Sequence, residues 1–221
     1  MIRSDRRIVL YGVGSPLVID AEESCVRAGV EIVAGVRNVE GAFFVTHAVR
    51  IVTPAELSDT ERSCGVVCAL FTPGHRRAAF ADAQRFGFTR GATLIDPTSP
   101  IARSADIGQG VFINAGCVVA GGCRLGDWVL VNRSASIGHH ARVGDYASIG
   151  PGAVLAGNIT VGRGAVIGAG SVLLPEVEIG DNAVIAAGSV VRTSIPANSL
   201  AWGNPCSVTR TGIEGYKGLS I

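Results

Sequence analysis

A six-residue repeat in the C-terminal half of the chain limits its possible folds more than any other feature of the sequence. Every sixth residue from Ile95 to Val191 is Ile, Val or Leu, without interruption. Gly or Asn often follows this aliphatic residue, and a small residue usually lies two positions before it. Chance does not produce such regularity, and it indicates a chain built from one short structural unit repeated many times.

The repeat suits a chain that turns a corner every six residues, so that three sides close one coil of eighteen residues. We expect the aliphatic residue to point inward with the small residue beside it, and Gly or Asn to relieve backbone strain at the corner. Neighbouring coils then stack at the ordinary strand spacing of about 4.8 Å, which places residues i and i+18 in one column. About five coils cover residues 95–191.

The residues before the repeat alternate between strand and helix patterns. Apolar, β-branched segments and two helical segments predict a small parallel α/β domain. The predicted strands are 7–12, 30–36 and 65–71, and the predicted helices are 17–28 and 74–86. The predicted divisions are an α/β domain at 1–91, a β-helix domain at 92–195 and a C-terminal tail at 196–221.

The predicted fold class is therefore mainly β, with a C-terminal left-handed parallel β-helix of hexapeptide repeats preceded by a small Rossmann-like α/β domain. A left-handed β-helix is an exception to the right-handed crossover rule for parallel strands. The pattern specifies a fold and not a function, because one scaffold can carry acyltransferases, carbonic anhydrases and purely structural segments.

Composition and charge exclude several functional classes. Nineteen Lys and Arg against eighteen Asp and Glu give a formal charge of +1, which argues against a nucleic-acid partner. The longest charge-free stretch, 107–123, is broken by several glycines, a Gln and an Asn, so we expect no membrane span. The apolar stretch near the N-terminus is about six residues long, too short for a signal peptide, and we expect a cytoplasmic location.

Six cysteines are scattered through a chain long enough to fold without disulfides, and we expect them to be reduced and buried. Cys64 and Cys68 have the spacing C-x-x-x-C, but no second Cys or His pair lies nearby to complete a zinc site. A β-helical carbonic anhydrase needs three well-separated imidazoles, whereas this repeat domain offers one adjacent pair. We therefore predict no metal.

Two adjacent histidines, His139 and His140, occupy outward positions in the middle of the repeats and are the main candidates for catalysis. Column neighbours of His139 are glycines, Gly157 among them, whereas His140 stacks next to Asn158, whose amide could hydrogen-bond it. A neutral imidazole can take the proton from an amine or hydroxyl that attacks a thioester. The Gly157 N–H could hold the developing oxyanion. The alternative is a pair of solvated surface histidines.

A glycine-containing turn follows the first predicted strand. Gly12 and Gly14 lie where α/β folds receive ligands, since amides at a helix N-terminus favour phosphate. The third glycine of a dinucleotide fingerprint is missing, so a plain strand-to-helix turn is the alternative.

Four segments of the chain resemble one known family of enzymes. These are NRSASIGHHARVGD at 132–145, LAGNITVG at 155–162, LLP at 173–175 and GNP at 203–205. They are similar to the sialic acid O-acetyltransferase and bacillosamine N-acetyltransferase (NeuD/PglD type) group of bacterial sugar acyltransferases, and the likeness covers nearly the whole chain. The resemblance implies a homotrimeric β-helix that binds acetyl-CoA between subunits, and an α/β domain that holds a nucleotide sugar.

The resemblance also implies roles for individual residues. The implied catalytic residues are His139 as general base, His140 beside it and Gly157 as the donor to the thioester carbonyl. The implied acceptor-binding residues are Asn132, Arg133, Gly12, Gly14, Arg37 and Arg77. The implied cofactor-binding residues are Ser148, Gly157, Asn158, Ala169 and Ala187. For Asn132, a corner position where Asn tolerates a left-handed backbone is an equally good explanation.

The sequence departs from the family at several of these positions. His140 stands where the family usually has Asp or Glu, and Ser148 stands where some relatives have His. Gly14-Ser15-Pro16 replaces Gly-Gly-His, and Arg37 begins a pair that replaces acidic residues. A third loop, at 71–77, matches the family only at Arg77. Because three nucleotide-binding loops differ, the acceptor need not be a UDP-linked sugar.

The sequence therefore predicts an acetyl-CoA-dependent acyltransferase that acetylates an amino or hydroxyl group of a sugar by direct attack, without an acyl-enzyme. The alternative is a catalytically degenerate β-helix protein that binds a metabolite or a protein partner, suggested by His140 and the altered loops.

Overall fold

The structure is a computed structural model that describes residues 6–46 and 48–221. The first five residues, which belong to the predicted α/β domain and to the stretch considered as a signal peptide, lie outside the described residues.

The N-terminal part is a four-stranded parallel sheet with helices on both sides. Its strands are β1 (Arg7–Tyr11), β2 (Glu31–Val36), β3 (Ile51–Val52) and β4 (Gly65–Val67), in the order β3-β2-β1-β4. Its helices are α1 (Val18–Ala28), α2 (Asp59–Arg62) and α3 (Pro73–Arg85), with a 3₁₀ turn at Pro54–Glu56. The two long predicted helices are confirmed to within one residue. The predicted strand 65–71 ends early, at Val67.

The repeats form a three-sided parallel β-helix in which each strand has two residues. These strands are β5 (Leu94–Ile95), β6 (Asp106–Ile107), β7 (Phe112–Ile113), β8 (Val118–Val119), β9 (Arg124–Leu125), β10 (Leu130–Val131), β11 (Ser136–Ile137), β12 (Arg142–Val143), β13 (Ser148–Ile149), β14 (Val154–Leu155), β15 (Thr160–Val161), β16 (Val166–Ile167), β17 (Val172–Leu173), β18 (Glu178–Ile179), β19 (Val184–Ile185) and β20 (Val190–Val191). Ser136 pairs with Val154 and Ile137 with Leu155, so the predicted register of eighteen residues is confirmed.

The aliphatic residues of the repeat point inward and form one continuous core. All those from Ile113 to Val191 are buried, whereas Ile95, Ile101 and Ile107 of the first coil are partly buried. Burial of each such side chain stabilises the fold by roughly 1.5–3 kcal/mol, so the period that is visible in the sequence is also the main source of stability.

The prediction that the glycine after the aliphatic residue relieves corner strain is wrong. Gly138 does not have a positive φ, and a Cβ there would lie 2.6 Å from the carbonyl carbon of Ala156 in the next coil. At Gly138, glycine therefore allows a close approach of the next coil's backbone. The left-handed residue comes two positions later, as at His140, with a φ of 59°. Asn132 is not left-handed either, and its Oδ1 accepts from the Arg133 N–H at 2.8 Å.

The three faces of the β-helix carry different outward side chains. The capped face, built from β5, β7, β10, β13, β16 and β19, packs its first strands against the α/β domain through Leu94, Phe112 and Leu130. The valine face presents Val118, Ser136, Val154, Val172 and Val190. The charged face presents Asp106, Arg124, Arg142, Thr160 and Glu178.

The C-terminal residues first extend the capped face and then return to the α/β domain. Strand β21 (Ser199–Gly203) pairs in parallel with β19, and β22 (Cys206–Thr211) pairs antiparallel with β21. A 3₁₀ turn at Tyr216–Gly218 follows. Leu219 packs on Gly74 of α3, where a Cβ would lie 2.5 Å from the Leu219 Cβ.

A buried arginine joins the two domains. Arg76 of α3 is 1% exposed and its guanidinium donates only to uncharged oxygens. The acceptors are the carbonyl oxygens of Leu70, Phe71, Trp128, Tyr146 and Ala147 and the hydroxyl of Ser148. Burial lowers the pKa of Arg76 to about 9, so the side chain is still charged at neutral pH.

A second connection centres on Asp96, which directly follows β5. Its buried carboxylate accepts from Arg27 and Ser24 of α1, at 2.7 Å from each. Burial raises the pKa of Asp96, but hydrogen bonds from Arg27, Thr98 and Ser24 outweigh this effect and hold the pKa at about 2. The ionised form is therefore the one that the fold stabilises.

We expect Asp96→Asn to lower the free energy of unfolding at neutral pH by about 2 kcal/mol. Arg27 is 37% exposed, and solvent screening keeps the loss from being larger. The folded pKa lies below the unfolded value of about 3.9, so this stability is complete above about pH 4 and is lost as the pH falls towards 2. Denaturant unfolding from pH 7 to 2 should show a weaker pH dependence in the variant. Equal slopes for both proteins, or an equal loss in the exposed control Asp59→Asn, would contradict this expectation.

Candidate active site

The two predicted histidines lie at an exposed vertex of the β-helix. His139 and His140 form the turn between β11 of the valine face and β12 of the charged face. The His140 N–H donates to the Gly121 carbonyl of the preceding coil, and the His139 carbonyl accepts from the Asn158 N–H of the next coil. The backbone of both histidines is thus fixed between coils, while both side chains remain exposed.

The two rings point in opposite directions along the column. A Cβ on Gly157 would lie 2.5 Å from Cε1 and Nε2 of His139, and a Cβ on Gly122 would lie 2.8 Å from Cδ2 of His140. Each imidazole therefore occupies space that only a glycine in the neighbouring coil leaves open.

The two imidazoles contact each other directly. Nδ1 of His139 lies 3.1 Å from Nδ1 of His140, and the ring planes are 81° apart. One nitrogen must donate and the other accept. Nε2 of each ring takes no part in this contact. The predicted hydrogen bond from the Asn158 amide to His140 is not formed, because the His140 ring turns towards Gly122 instead.

A backbone donor lies beside the His139 ring. Within the described residues the Gly157 N–H makes no hydrogen bond, while its carbonyl accepts from the Glu176 N–H. A free N–H next to an imidazole Nε2 is an arrangement that can hold an oxyanion while the imidazole moves a proton.

The predicted cofactor residues lie in three places: Gly157 and Asn158 at the vertex of His139, Ala169 and Ala187 at a second vertex, and Ser148 in strand β13. Ala169 and Ala187 are exposed at the vertex between the capped and valine faces, where small side chains leave the backbone accessible. Ser148 belongs to neither exposed vertex, and its predicted role in cofactor binding is wrong. It is fully buried under the α/β domain, donates to the Phe71 carbonyl at 2.6 Å and accepts from Arg76.

Asn132 and Arg133 lie at the same vertex as Ala169, across the valine face from His139. Asn132 is 6% exposed and its Oδ1 accepts from Asn114 at 3.1 Å. Arg133 is exposed and forms an ion pair with Asp20 of α1. Neither residue can reach His139 of its own chain, because a whole face of the β-helix separates them.

The α/β domain contains a cavity of about 880 Å³ at the C-terminal ends of β1, β2 and β4. Gly12 and Gly14 line it, and their role in acceptor binding stays a prediction. Arg37 and Arg77 are exposed and do not line it, whereas Asn38, His75 and Ala78 do. The role of the two arginines in acceptor binding stays a prediction.

Two charged residues of this cavity were missed by the sequence analysis. Asp82 of α3 accepts from the Tyr11 hydroxyl at 2.7 Å, and Lys217 arrives from the C-terminal segment. Burial and the contact with Asp82 raise the pKa of Tyr11, so this phenol remains a donor. Asp82 lies within an ordinary helical pattern. A signal for Lys217 did exist, since it is the only lysine of the chain.

The cavity and the histidines lie on opposite sides of one chain. The α/β domain packs on the capped face, and the vertex that carries His139 is the one opposite that face in the triangular cross-section. A ligand in the cavity of one chain therefore cannot reach His139 of the same chain.

Other kinds of site find no support in the part of the chain that the structure describes. All six cysteines are free and buried, as predicted. No group of three or more His, Cys, Asp and Glu suited to a metal ion occurs among the described residues. Within the same residues, no helix is both long and apolar enough to cross a membrane.

Comparisons with known proteins agree with the repeat and with the complete fold. The family model of the bacterial transferase hexapeptide (six repeats) matches residues 158–193. PerB from Caulobacter crescentus, solved with CoA and GDP-perosamine, is 26% identical, covers 93% of this chain and 98% of its own, and has a TM-score of 0.81. The acetyltransferase domain of PglB from Neisseria gonorrhoeae, solved with acetyl coenzyme A, is 26% identical, with 92% and 99% covered and a TM-score of 0.81.

A third similar structure is a variant of the Caulobacter crescentus perosamine N-acetyltransferase with one histidine replaced by Asn, in complex with CoA and GDP-perosamine. It is 25% identical and has a TM-score of 0.79, with 93% of this chain and 97% of that chain covered. None of the curated proteins compared matches the chain by sequence. The structural neighbours confirm the predicted fold class, a left-handed parallel β-helix with a small α/β domain, and the predicted resemblance to hexapeptide-repeat sugar acyltransferases.

Proposed function

We propose that this chain transfers the acetyl group of acetyl-CoA to an amino group of a nucleotide-linked sugar, with His139 as general base. The neighbours are acetyltransferases that hold CoA or acetyl-CoA, which confirms the predicted enzyme class and cosubstrate at that level. The observation that carries the finer proposal is the exposed His139 ring beside the free Gly157 N–H. Amino acetylation and a nucleotide-linked acceptor are favoured because two of the similar structures were solved with GDP-perosamine bound.

His140 supplies a contact that orients the His139 ring. With Nδ1–H of His139 donating to Nδ1 of neutral His140 at 3.1 Å, the lone pair of His139 lies on Nε2, next to Gly157. Because Nδ1 of His139 carries the proton, Nε2 of the same ring is the basic nitrogen. A neutral acceptor holds the same tautomer as a carboxylate, but it stabilises the imidazolium less.

The proposed reaction proceeds by direct transfer. The acceptor nitrogen attacks the thioester carbonyl and loses a proton to Nε2 of His139, while the Gly157 N–H donates to the oxyanion that forms. The carbon–sulfur bond then breaks, and the proton on His139 goes to the leaving thiolate. The products are the amide and free CoA, and both histidines return to the neutral state.

The proposed active unit is a homotrimer with each site between two subunits. Support comes from the opposite placement of the cavity and His139, which makes the site incomplete within one chain. The valine face adds support, because Val118 and Val154 are 43% and 42% exposed on a flat surface that leads to the His139 vertex. A second chain on this face would bring Ala169 and Ala187 towards His139. Ala169 and Ala187 would then leave room for the pantetheine arm of CoA.

The test is release of free thiol from acetyl-CoA, measured with amino sugars and with their UDP, dTDP and GDP forms, alongside analytical sedimentation. We expect turnover with a nucleotide-linked amino sugar and sedimentation as a trimer. A monomer would remove the proposed site. Absence of both turnover and CoA binding would favour the alternative, a degenerate β-helix protein that binds a metabolite or a partner. Cytoplasmic location and the lack of a nucleic-acid partner stay predictions.

A further inference from the structure

The only lysine of the chain lies at the cavity of the α/β domain, although it is four residues from the C-terminus. Lys217 helps to line the cavity together with the Gly12 to Leu17 turn and the first turns of α3. The cavity lies beyond the carboxyl ends of β1 and β4, from which the chain leaves towards opposite sides of the sheet. This is the place where open parallel sheets usually bind their ligands.

The segment that carries Lys217 is held firmly in place. Tyr216 packs edge-on against Phe71, with ring centroids 6.0 Å apart, and Leu219 packs on Gly74. The Ile221 N–H donates to Asn182 Oδ1 at 2.9 Å on the β-helix. Contacts on both sides of Lys217 thus fix its backbone, and the side chain does not depend on a free terminus to reach the cavity.

The ammonium group of Lys217 has no anionic partner within the described part of the chain. Nζ lies 5.9 Å from the centroid of the Tyr216 ring. The acidic residue of the cavity, Asp82, already accepts from the Tyr11 hydroxyl. The cavity therefore offers one exposed, unneutralised cation close to the strand ends.

We infer that Lys217 binds the diphosphate of the nucleotide-linked acceptor, so that the C-terminal segment selects nucleotide-linked sugars over free sugars. The inference rests on the proposed function for the identity of the acceptor. A lysine ammonium is a compact charge that suits phosphoryl oxygens. The altered loops at Gly14 and Arg37 place no Lys or Arg among the residues that line the cavity. Lys217 affects the affinity for the acceptor and takes no part in the proton transfer, which His139 of another subunit carries out.

The experiment is calorimetric titration of the full chain with UDP, GDP, the corresponding nucleosides and CoA, comparing wild type with Lys217→Ala and Lys217→Arg. We expect Lys217→Ala to weaken binding of the preferred diphosphate about tenfold, with Lys217→Arg close to wild type and nucleoside and CoA binding unchanged. The matched control is Arg85→Ala, which removes one positive charge at the far end of α3. The effect of Lys217 should shrink as salt is raised.

Three results would overturn the inference: wild type that binds neither diphosphate, Lys217→Ala that binds like Arg85→Ala, or an equal loss of CoA affinity. A second measurement avoids mutation altogether. Acetylation of the single lysine by an amine-reactive reagent should be slowed by bound diphosphate and not by the nucleoside, as read by mass spectrometry of the C-terminal peptide. Because binding requires no turnover, failure of acetyl transfer with intact Lys217-dependent binding would refute the proposed function alone.

Discussion

Acetyl transfer by His139→Ala is expected to be at least about a hundredfold slower in kcat than transfer by the wild type. The imidazole is the only group beside the Gly157 N–H that can take the proton from the attacking nitrogen, among the residues that the structure describes. KM for acetyl-CoA should change little, because Ala169, Ala187 and the backbone at Gly157 remain. Steady-state thiol release gives both constants, and sedimentation with circular dichroism checks that the variant still folds.

Variants of His140 separate positioning from simple packing. His140→Ala should lower kcat less than His139→Ala, since the base remains but its tautomer is no longer fixed by the contact at 3.1 Å. His140→Glu should recover the loss, because a carboxylate accepts the same hydrogen bond and stabilises the imidazolium better. Unchanged rates in His139→Ala would discard the mechanism.

Arg76→Met is expected to lower the free energy of unfolding by about 4 kcal/mol, the largest stability effect that the structure suggests. The methionine fills part of the space but leaves the carbonyl oxygens of Trp128 and Tyr146 without a donor, whereas the Ala147 carbonyl still accepts from the Leu130 N–H. Each unsatisfied buried acceptor costs roughly 1–3 kcal/mol, and partial relaxation keeps the sum below the simple total. Denaturant unfolding curves measure the loss directly.

Two controls make this test specific. Arg77→Met changes the next residue, which is exposed and makes no contact with the β-helix carbonyls, and should shift stability by less than about 0.5 kcal/mol. Arg76→Lys keeps the charge but offers fewer donors in a different geometry, so an intermediate loss is expected. Equal stability of Arg76→Met and Arg77→Met would show that water or rearranged side chains satisfy these carbonyls.

The β-helix could be predicted from the sequence because its core repeats a local rule. The position of each aliphatic residue follows from the period alone, and so does the register of β11 on β14. The role of Gly138 was misassigned because the sequence cannot show how closely the next coil approaches, whereas the structure places a backbone carbon 2.6 Å from a Cβ there.

Within the repeat, the period alone places the candidate catalytic residues, whereas outside it the sequence indicated only the Gly12 and Gly14 turn of the cavity. The column that places His139 beside Gly157 follows from the period of eighteen residues. Ser148 obeys the same period, but its burial depends on Arg76, which is 72 residues away in the chain. Lys217 reaches the cavity only because the segment after β22 folds back across the capped face. Contacts between distant segments leave no periodic signal, and these are the contacts that the sequence did not reveal.

The placement of the α/β domain on the face opposite His139 has a genetic consequence. In the proposed trimer, each site combines the cavity of one chain with the imidazole of another. A mutation in the cavity and a mutation at His139 of the same chain therefore disable two different sites. Two inactive alleles, one altered at His139 and one in the cavity, should therefore complement each other when expressed together, because mixed trimers contain some sites with both halves intact. A duplicated gene could then lose one half in each copy without loss of the activity.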